Sequence, residues 1–108
     1  MVQGTWHSHL ISMPKKTLTN KRIHILYHGS VQGVGFRYTA ERLAASLGLS
    51  GWARNLPGSQ VEVVCEGREQ DIETFLQKIN EAFKGYIRDT DVERGDATGE
   101  FDGFDIRF

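Results

Sequence analysis

The chain reads as a single α+β domain of the split βαβ kind, with two helices on one face of an antiparallel sheet. Three observations predict it. Apolar residues alternate at 22–28 and 60–66, the period of a half-buried strand. Two longer segments, 36–47 and 69–84, repeat apolar residues at helical spacing. The second and third strands are joined by a short Pro-Gly turn at 56–59, a connection too short for anything but an antiparallel hairpin.

The elements follow in order. In the first strand, Ile23, Ile25 and Tyr27 alternate with His24, Leu26 and His28. A loop with Gly29, Gly33 and Gly35 comes next, then a helix from Phe36 to Leu47. Its apolar face is Phe36, Ala40, Leu43, Ala44 and Leu47, and Gly48 is its C-cap. Leu49 to Asn55 is the second strand, Leu56-Pro-Gly-Ser59 the turn, and Gln60 to Glu66 the third strand, with Val61, Val63 and Cys65 on one face. The second helix spans Glu69 to Lys84; Ile72, Phe75, Leu76, Ile79 and Phe83 form its stripe, and Gly85 stops it. Tyr86 to Glu93 is a fourth strand. An acidic connection at 95–103 leads to a short closing strand, in which Phe104, Ile106 and Phe108 share a face. The order strand, helix, strand, strand, helix, strand (βαββαβ) is the ferredoxin-like pattern.

Composition bounds the function. At 108 residues with 39% apolar and 25% charged residues, the chain has room for one globular domain. No apolar run approaches a membrane span, and no secretory signal is expected. A single cysteine rules out an intrachain disulfide and a cysteine-rich zinc site, and it suits a reduced, cytoplasmic setting. The net charge of -1 argues against a dedicated nucleic-acid surface. Residues 1–20 carry Lys15 and Lys16 without an acidic residue and show no sustained period, so they are expected to be a mobile basic N-terminal tail, with 21–108 as the folded body. Trp6, His7 and His9 in that tail are weak evidence for a metal, and Met13 offers an alternative start.

The loop before the first helix is the most informative segment. A strand, a glycine-rich loop and a helix N-terminus make an anion cradle: backbone N–H groups converge, and the helix dipole adds positive charge. Arg37 lies in the first helical turn, and its guanidinium can fork onto two oxygens of one anion. A glycine-rich loop that merely reverses the chain is the simpler alternative. The loop lacks the Gly-Lys pair of a P-loop and the last glycine of a dinucleotide fingerprint. Asn55 ends a strand, a place where Asn is also a common turn initiator; the predicted sheet lets it face one pocket with Arg37.

Two segments carry a resemblance. His28-Gly-Ser-Val-Gln-Gly-Val-Gly-Phe-Arg37 and Gly51-Trp-Ala-Arg-Asn55, the latter continuing to Gly67, resemble the two signatures of the acylphosphatase family, in the family's order and over 22–108. The resemblance implies a ferredoxin-like fold over 21–108 and hydrolysis of small acyl phosphates to carboxylate and inorganic phosphate, with neither metal nor cofactor. It implies that Arg37 binds the phosphoryl group with the backbone N–H groups of Val31, Gln32, Gly33, Val34, Gly35 and Phe36. It also implies that Asn55 orients the attacking water. One departure is visible: the family's second signature usually has its turn glycine four residues after the Asn, where this chain has Ser59, with Gly58 one place earlier.

Two other readings compete. Ferredoxin-like sheets also bind single-stranded RNA, but through sheet-surface aromatics, and Gln60 to Glu66 has none. A non-catalytic anion-binding or carbamoyl-binding module is the second. Cys65 is expected to be a small buried apolar residue, His24 and His28 surface or packing residues, and Asp89 to Asp105 a solvated edge. Trp52 and Tyr38 are expected around the site. A monomer is expected, because no large apolar face is left over.

Overall fold

A computed structural model describes residues 20–108. The tail, apart from Asn20, and its Trp6, His7, His9 and Met13 lie outside the described residues. The chain forms β1 (Asn20–Gly29), α1 (Phe36–Ser46), β2 (Ser50–Leu56), β3 (Gln60–Arg68), α2 (Glu69–Ala82), β4 (Ile87–Asp96) and β5 (Phe104–Arg107). The sheet order is β4-β1-β3-β2-β5, with helices α1 over β2 and β5, and α2 over β3 and β1. This is the expected ferredoxin-like α+β architecture.

The expected all-antiparallel sheet needs correction, because β5 runs parallel to β2, from Gly51 opposite Phe104 to Arg54 opposite Arg107. The physical reason is the route of the chain. The fourth strand pairs with β1 at one edge. The connection 97–103 then crosses to the other edge and enters beside β2 in the same direction, anchored by Gly51 N–H donating to Gly103 O at 2.9 Å. A crossover of this length permits a parallel pair, which a tight hairpin does not.

The core follows the apolar periods. Ile23, Ile25 and Tyr27 of β1 and Val61, Val63 and Cys65 of β3 point beneath Phe36, Ala40 and Ala44 of α1 and Ile72, Phe75 and Ile79 of α2, all buried. Tyr27, Phe36 and Phe83 stack in sequence, with ring centroids 4.8 and 4.5 Å apart. Each large apolar side chain buried this way contributes about 1.5–3 kcal/mol. Burial also raises the Cys65 thiol well above its ordinary pKa, so the residue behaves as the small apolar group expected.

Element ends moved by a few residues. Helix α1 closes as a Schellman motif: Leu49 N–H donates to Ala44 O at 2.8 Å and Gly48 N–H to Ala45 O at 3.2 Å, with Gly48 left-handed at φ 70°. Helix α2 ends at Ala82, before Gly85, because the N–H groups of Tyr86 and Ile87 turn back onto Phe83 O at 2.9 and 3.0 Å. Strand β4 therefore begins at Ile87, and it runs on to Asp96 because β1 extends back to Lys21 and beyond to pair with it.

Candidate active site

The loop between β1 and α1 is pinned by Val31, which is fully buried. Gly33 and Gly35 take φ values of 80° and 79°, in the left-handed region that favours glycine. A Cβ at either would meet nothing within 4 Å, so backbone conformation rather than crowding demands glycine here. Gly35 caps α1 with no side-chain hydrogen bond, and the first turn holds no acidic residue. The first-turn N–H groups and the positive end of the helix dipole thus face the loop without a carboxylate to neutralise them.

A cavity of about 260 Å³ opens at this point, lined by Val31, Gly33, Gly35, Phe36, Arg37, Tyr38 and Asn55. Arg37 and Asn55, separated by one helix and most of a strand in the chain, open onto the same space. Asn55 reaches it because strand alternation puts Gly51, Ala53 and Asn55 on the helix side of β2. Ala53 is buried in the core, while Asn55 lies one pleat further on and is half-buried at its rim.

Two neighbours of Arg37 were not visible in the sequence. Its Nη1 donates to Arg107 O at 3.2 Å, and its guanidinium carbon lies 4.7 Å from the centre of the Phe108 ring. The end of β5 thus holds the guanidinium at the cavity. The alternation of Phe104, Ile106 and Phe108 was the one local signal that pointed Phe108 to this side; finding Arg107 needed the parallel pairing. The sequence places Gln32 at the loop through its backbone alone. Its side-chain Nε2 donates to Leu56 O at 2.6 Å and Gln60 O at 2.7 Å, spanning from the loop to the β2–β3 hairpin. Val34 packs its side chain against the core.

The expectation for Tyr38 and Trp52 divides. Tyr38 lines the cavity. Trp52 is corrected: alternation places it on the opposite face of β2, between the guanidiniums of Arg54 at 5.1 Å and Arg107 at 4.6 Å. That open face is polar. Glu62 accepts from Arg54 Nε at 2.7 Å and pairs with His24 Nε2 at 2.6 Å. Burial raises the Glu62 pKa, but the His24 and Arg54 contacts outweigh it and hold the carboxyl below its usual value. His28 pairs with Asp91 at 2.9 Å. Both histidines therefore lie on the surface side of β1, as expected, and β4 is an exposed, charged edge. Among the described residues, no group of three or more His, Cys, Asp or Glu side chains is placed to hold a metal ion. Among the same residues, no helix is long and apolar enough to cross a membrane.

Comparison with known proteins gives the same direction as the geometry. The sequence pattern of the family Acylphosphatase matches residues 23–106. An acylphosphatase of Methylococcus capsulatus is 40% identical over 87 residues, covering 80% of this chain and 95% of that protein. The solved structure of an acylphosphatase from Coxiella burnetii superposes with a TM-score of 0.75 at 27% identity, covering 88% of this chain and 100% of the other. HypF of T. kodakarensis superposes with a TM-score of 0.70 at 32% identity, over 82% of this chain but only 12% of that one. With a match spanning the whole body and both sequence signatures meeting at one cavity, the chain belongs to the acylphosphatase family.

Proposed function

We propose that this acylphosphatase hydrolyses small acyl phosphates at the cavity between the glycine loop, α1 and the end of β2, by direct attack of a positioned water. Arg37 and the backbone N–H groups of Val31, Gln32, Gly33, Val34, Gly35 and Phe36 hold the phosphoryl oxygens. Asn55 holds the water through its side-chain amide. The observation that carries this reading is that Arg37 and Asn55 line one cavity at an uncompensated helix N-terminus.

The chemistry needs little more. The leaving group is a carboxylate, whose conjugate acid has a pKa of about 4–5, so it departs without a proton donor. Phosphoryl transfer passes through a loose transition state, and the protein's task is to spread charge and to align the nucleophile. Arg37 spends one donor on Arg107 O. A guanidinium has about five N–H donors, so the others stay available for a bidentate grip on the phosphoryl group. The loop N–H groups and the helix dipole stand ready before the substrate arrives, so no reorganisation is required as charge develops. Asn55, at the rim, offers an amide oxygen that accepts from water and orients its lone pair toward phosphorus.

The test is release of benzoate from benzoyl phosphate in the presence of a chelator, with wild type beside Arg37→Ala and Asn55→Ala. Chelator leaves the wild-type rate unchanged, since the reading uses neither metal nor cofactor. Arg37→Ala loses about 10²–10³-fold in kcat/KM, the scale for removing a preorganised donor. Asn55→Ala loses kcat more than KM. Full activity in Asn55→Ala removes the water-positioning role, and a folded wild type that binds phosphate without turnover makes the cavity an anion-binding module. We take the protein to be a cytoplasmic monomer with a basic N-terminal tail at 1–20 and no nucleic-acid or membrane partner; a dimer mass by light scattering corrects the monomer.

A further inference from the structure

The side chain of Gln32 bridges the two halves of the proposed site from within the loop itself. One half is the loop that would hold the phosphoryl group, to which Gln32 itself belongs. The other is the β2–β3 hairpin, which carries Asn55. The two carbonyls that Gln32 reaches, Leu56 O at 2.6 Å and Gln60 O at 2.7 Å, flank the turn, and Leu56 is the residue next to Asn55. A side-chain amide nitrogen has two N–H donors, and here both are used on two backbone acceptors 24 and 28 residues away in the chain. The side chain is half-buried, so solvent does not readily substitute for it.

We infer that Gln32 is a positioning residue: its side chain sets the distance between the phosphoryl cradle and the water held by Asn55. This rests on the function proposed above. The cradle is held internally by Val31, Gly33, Gly35 and the start of α1, so anion binding does not depend on the bridge. In-line attack does depend on it. The nucleophile and the phosphorus are held by separate elements, and a misplacement of about 1 Å between reacting groups costs on the order of 10²-fold in rate. Loss of the bridge should therefore appear in kcat, with binding little changed.

The experiment uses the full chain and benzoyl phosphate, with inorganic phosphate as a competitive inhibitor and a thermal melt for each variant. Gln32→Ala is expected to lose about 10–100-fold in kcat, while KM and the phosphate inhibition constant stay within about threefold of wild type. Gln32→Glu supplies a readout that a general loss of stability would not give. An ionised glutamate has no donor for the two carbonyls, whereas a protonated one has a single O–H to give. The kcat of Gln32→Glu, divided by that of wild type at the same pH, is therefore expected to rise as pH falls through the carboxyl range. An unchanged kcat in Gln32→Ala overturns the inference and leaves the hydrolase intact. A proportionate loss of phosphate binding also overturns it, by assigning Gln32 to the cradle alone. A flat ratio for Gln32→Glu across pH does so even where Gln32→Ala fails to fold. A wild type without turnover overturns the proposed function itself and this inference with it.

Discussion

Replacing Glu66 with glutamine should cost this small domain much of its margin of stability. Glu66 on β3 is 4% exposed, the one charged residue buried among the described residues. Its Oε2 accepts from Thr98 N and Thr98 Oγ1, both at 2.9 Å, and from Arg22 Nη1 at 3.2 Å, while Oε1 accepts from Gly99 N at 3.0 Å. Burial raises its pKa, but the backbone N–H groups of Thr98 and Gly99, the Thr98 hydroxyl and Arg22 together bring it below the usual value. A glutamine keeps one accepting oxygen. With the oxygen in the Oε2 position, its NH₂ faces Gly99 N–H, donor against donor, the two Thr98 bonds become neutral ones, and the Arg22 bond keeps only the guanidinium's charge. Hydrogen bonds to charged groups are worth about 1.5–3 kcal/mol and neutral ones about 0.5–1.5, so losing the Gly99 bond and weakening the two Thr98 bonds by about 1 each amounts to about 3.5–5 kcal/mol. At about 4–8 °C per kcal/mol in a domain of this size, Tm at neutral pH falls by about 15–40 °C. The pH dependence has a definite sign. The folded pKa is depressed, so the carboxylate contributes stability above its unfolded value of about 4.3, and that contribution is lost as pH falls through the folded value. The gap between wild type and Glu66→Gln should therefore close in acid. Thermal melts of both proteins from neutral pH into the acid range measure it. Equal Tm at neutral pH, or a gap that persists once the carboxyl is protonated, refutes the reasoning.

Two further outcomes follow from local geometry. Ser59 has φ 62°, directly after Gly58 at φ 84°, so a non-glycine residue occupies the left-handed region in the β2–β3 turn. Ser59→Gly relieves about 1–2 kcal/mol of backbone strain and adds about 0.5–1 kcal/mol of unfolded-state entropy. A net gain of about 0.5–1 kcal/mol by urea titration is expected, and a loss of stability sinks the strain argument. The Tyr27 hydroxyl is buried and has no hydrogen-bond partner among the described residues. Its burial also pushes its pKa well above the ordinary value. Leaving a hydroxyl unsatisfied costs about 1–3 kcal/mol, so Tyr27→Phe is expected to be neutral or stabilising by about 1 kcal/mol. A clear destabilisation in the same titration would show that the hydroxyl has a partner.

Much of the site was legible because its parts are local. Glycines at 33 and 35 before a helix define a cradle by backbone conformation alone, and Arg37 falls in the first turn by counting. Asn55 was legible as a strand end, and strand alternation then sets which face it takes. Ser59 in place of a turn glycine was also visible, and it proves to occupy a left-handed conformation. The misread Trp52 shows where such counting stops. Adjacent in motif to Asn55, it lies an odd number of residues away, and the pleat sends it to the other face with Arg54 and Arg107.

The sequence alone fixes the order of elements and the buried faces of both helices and of β1 and β3. Each is a relation between residues a few places apart, and the periods of strand and helix encode such relations directly. The tertiary structure decided the parallel seat of β5, the capture of Arg37 by Arg107 and Phe108, the Glu66 clamp on residues 98–99, and the reach of Gln32 to the hairpin. These join residues 24 to 71 positions apart. Such contacts depend on which edge of the sheet a connection reaches, and no local period records that.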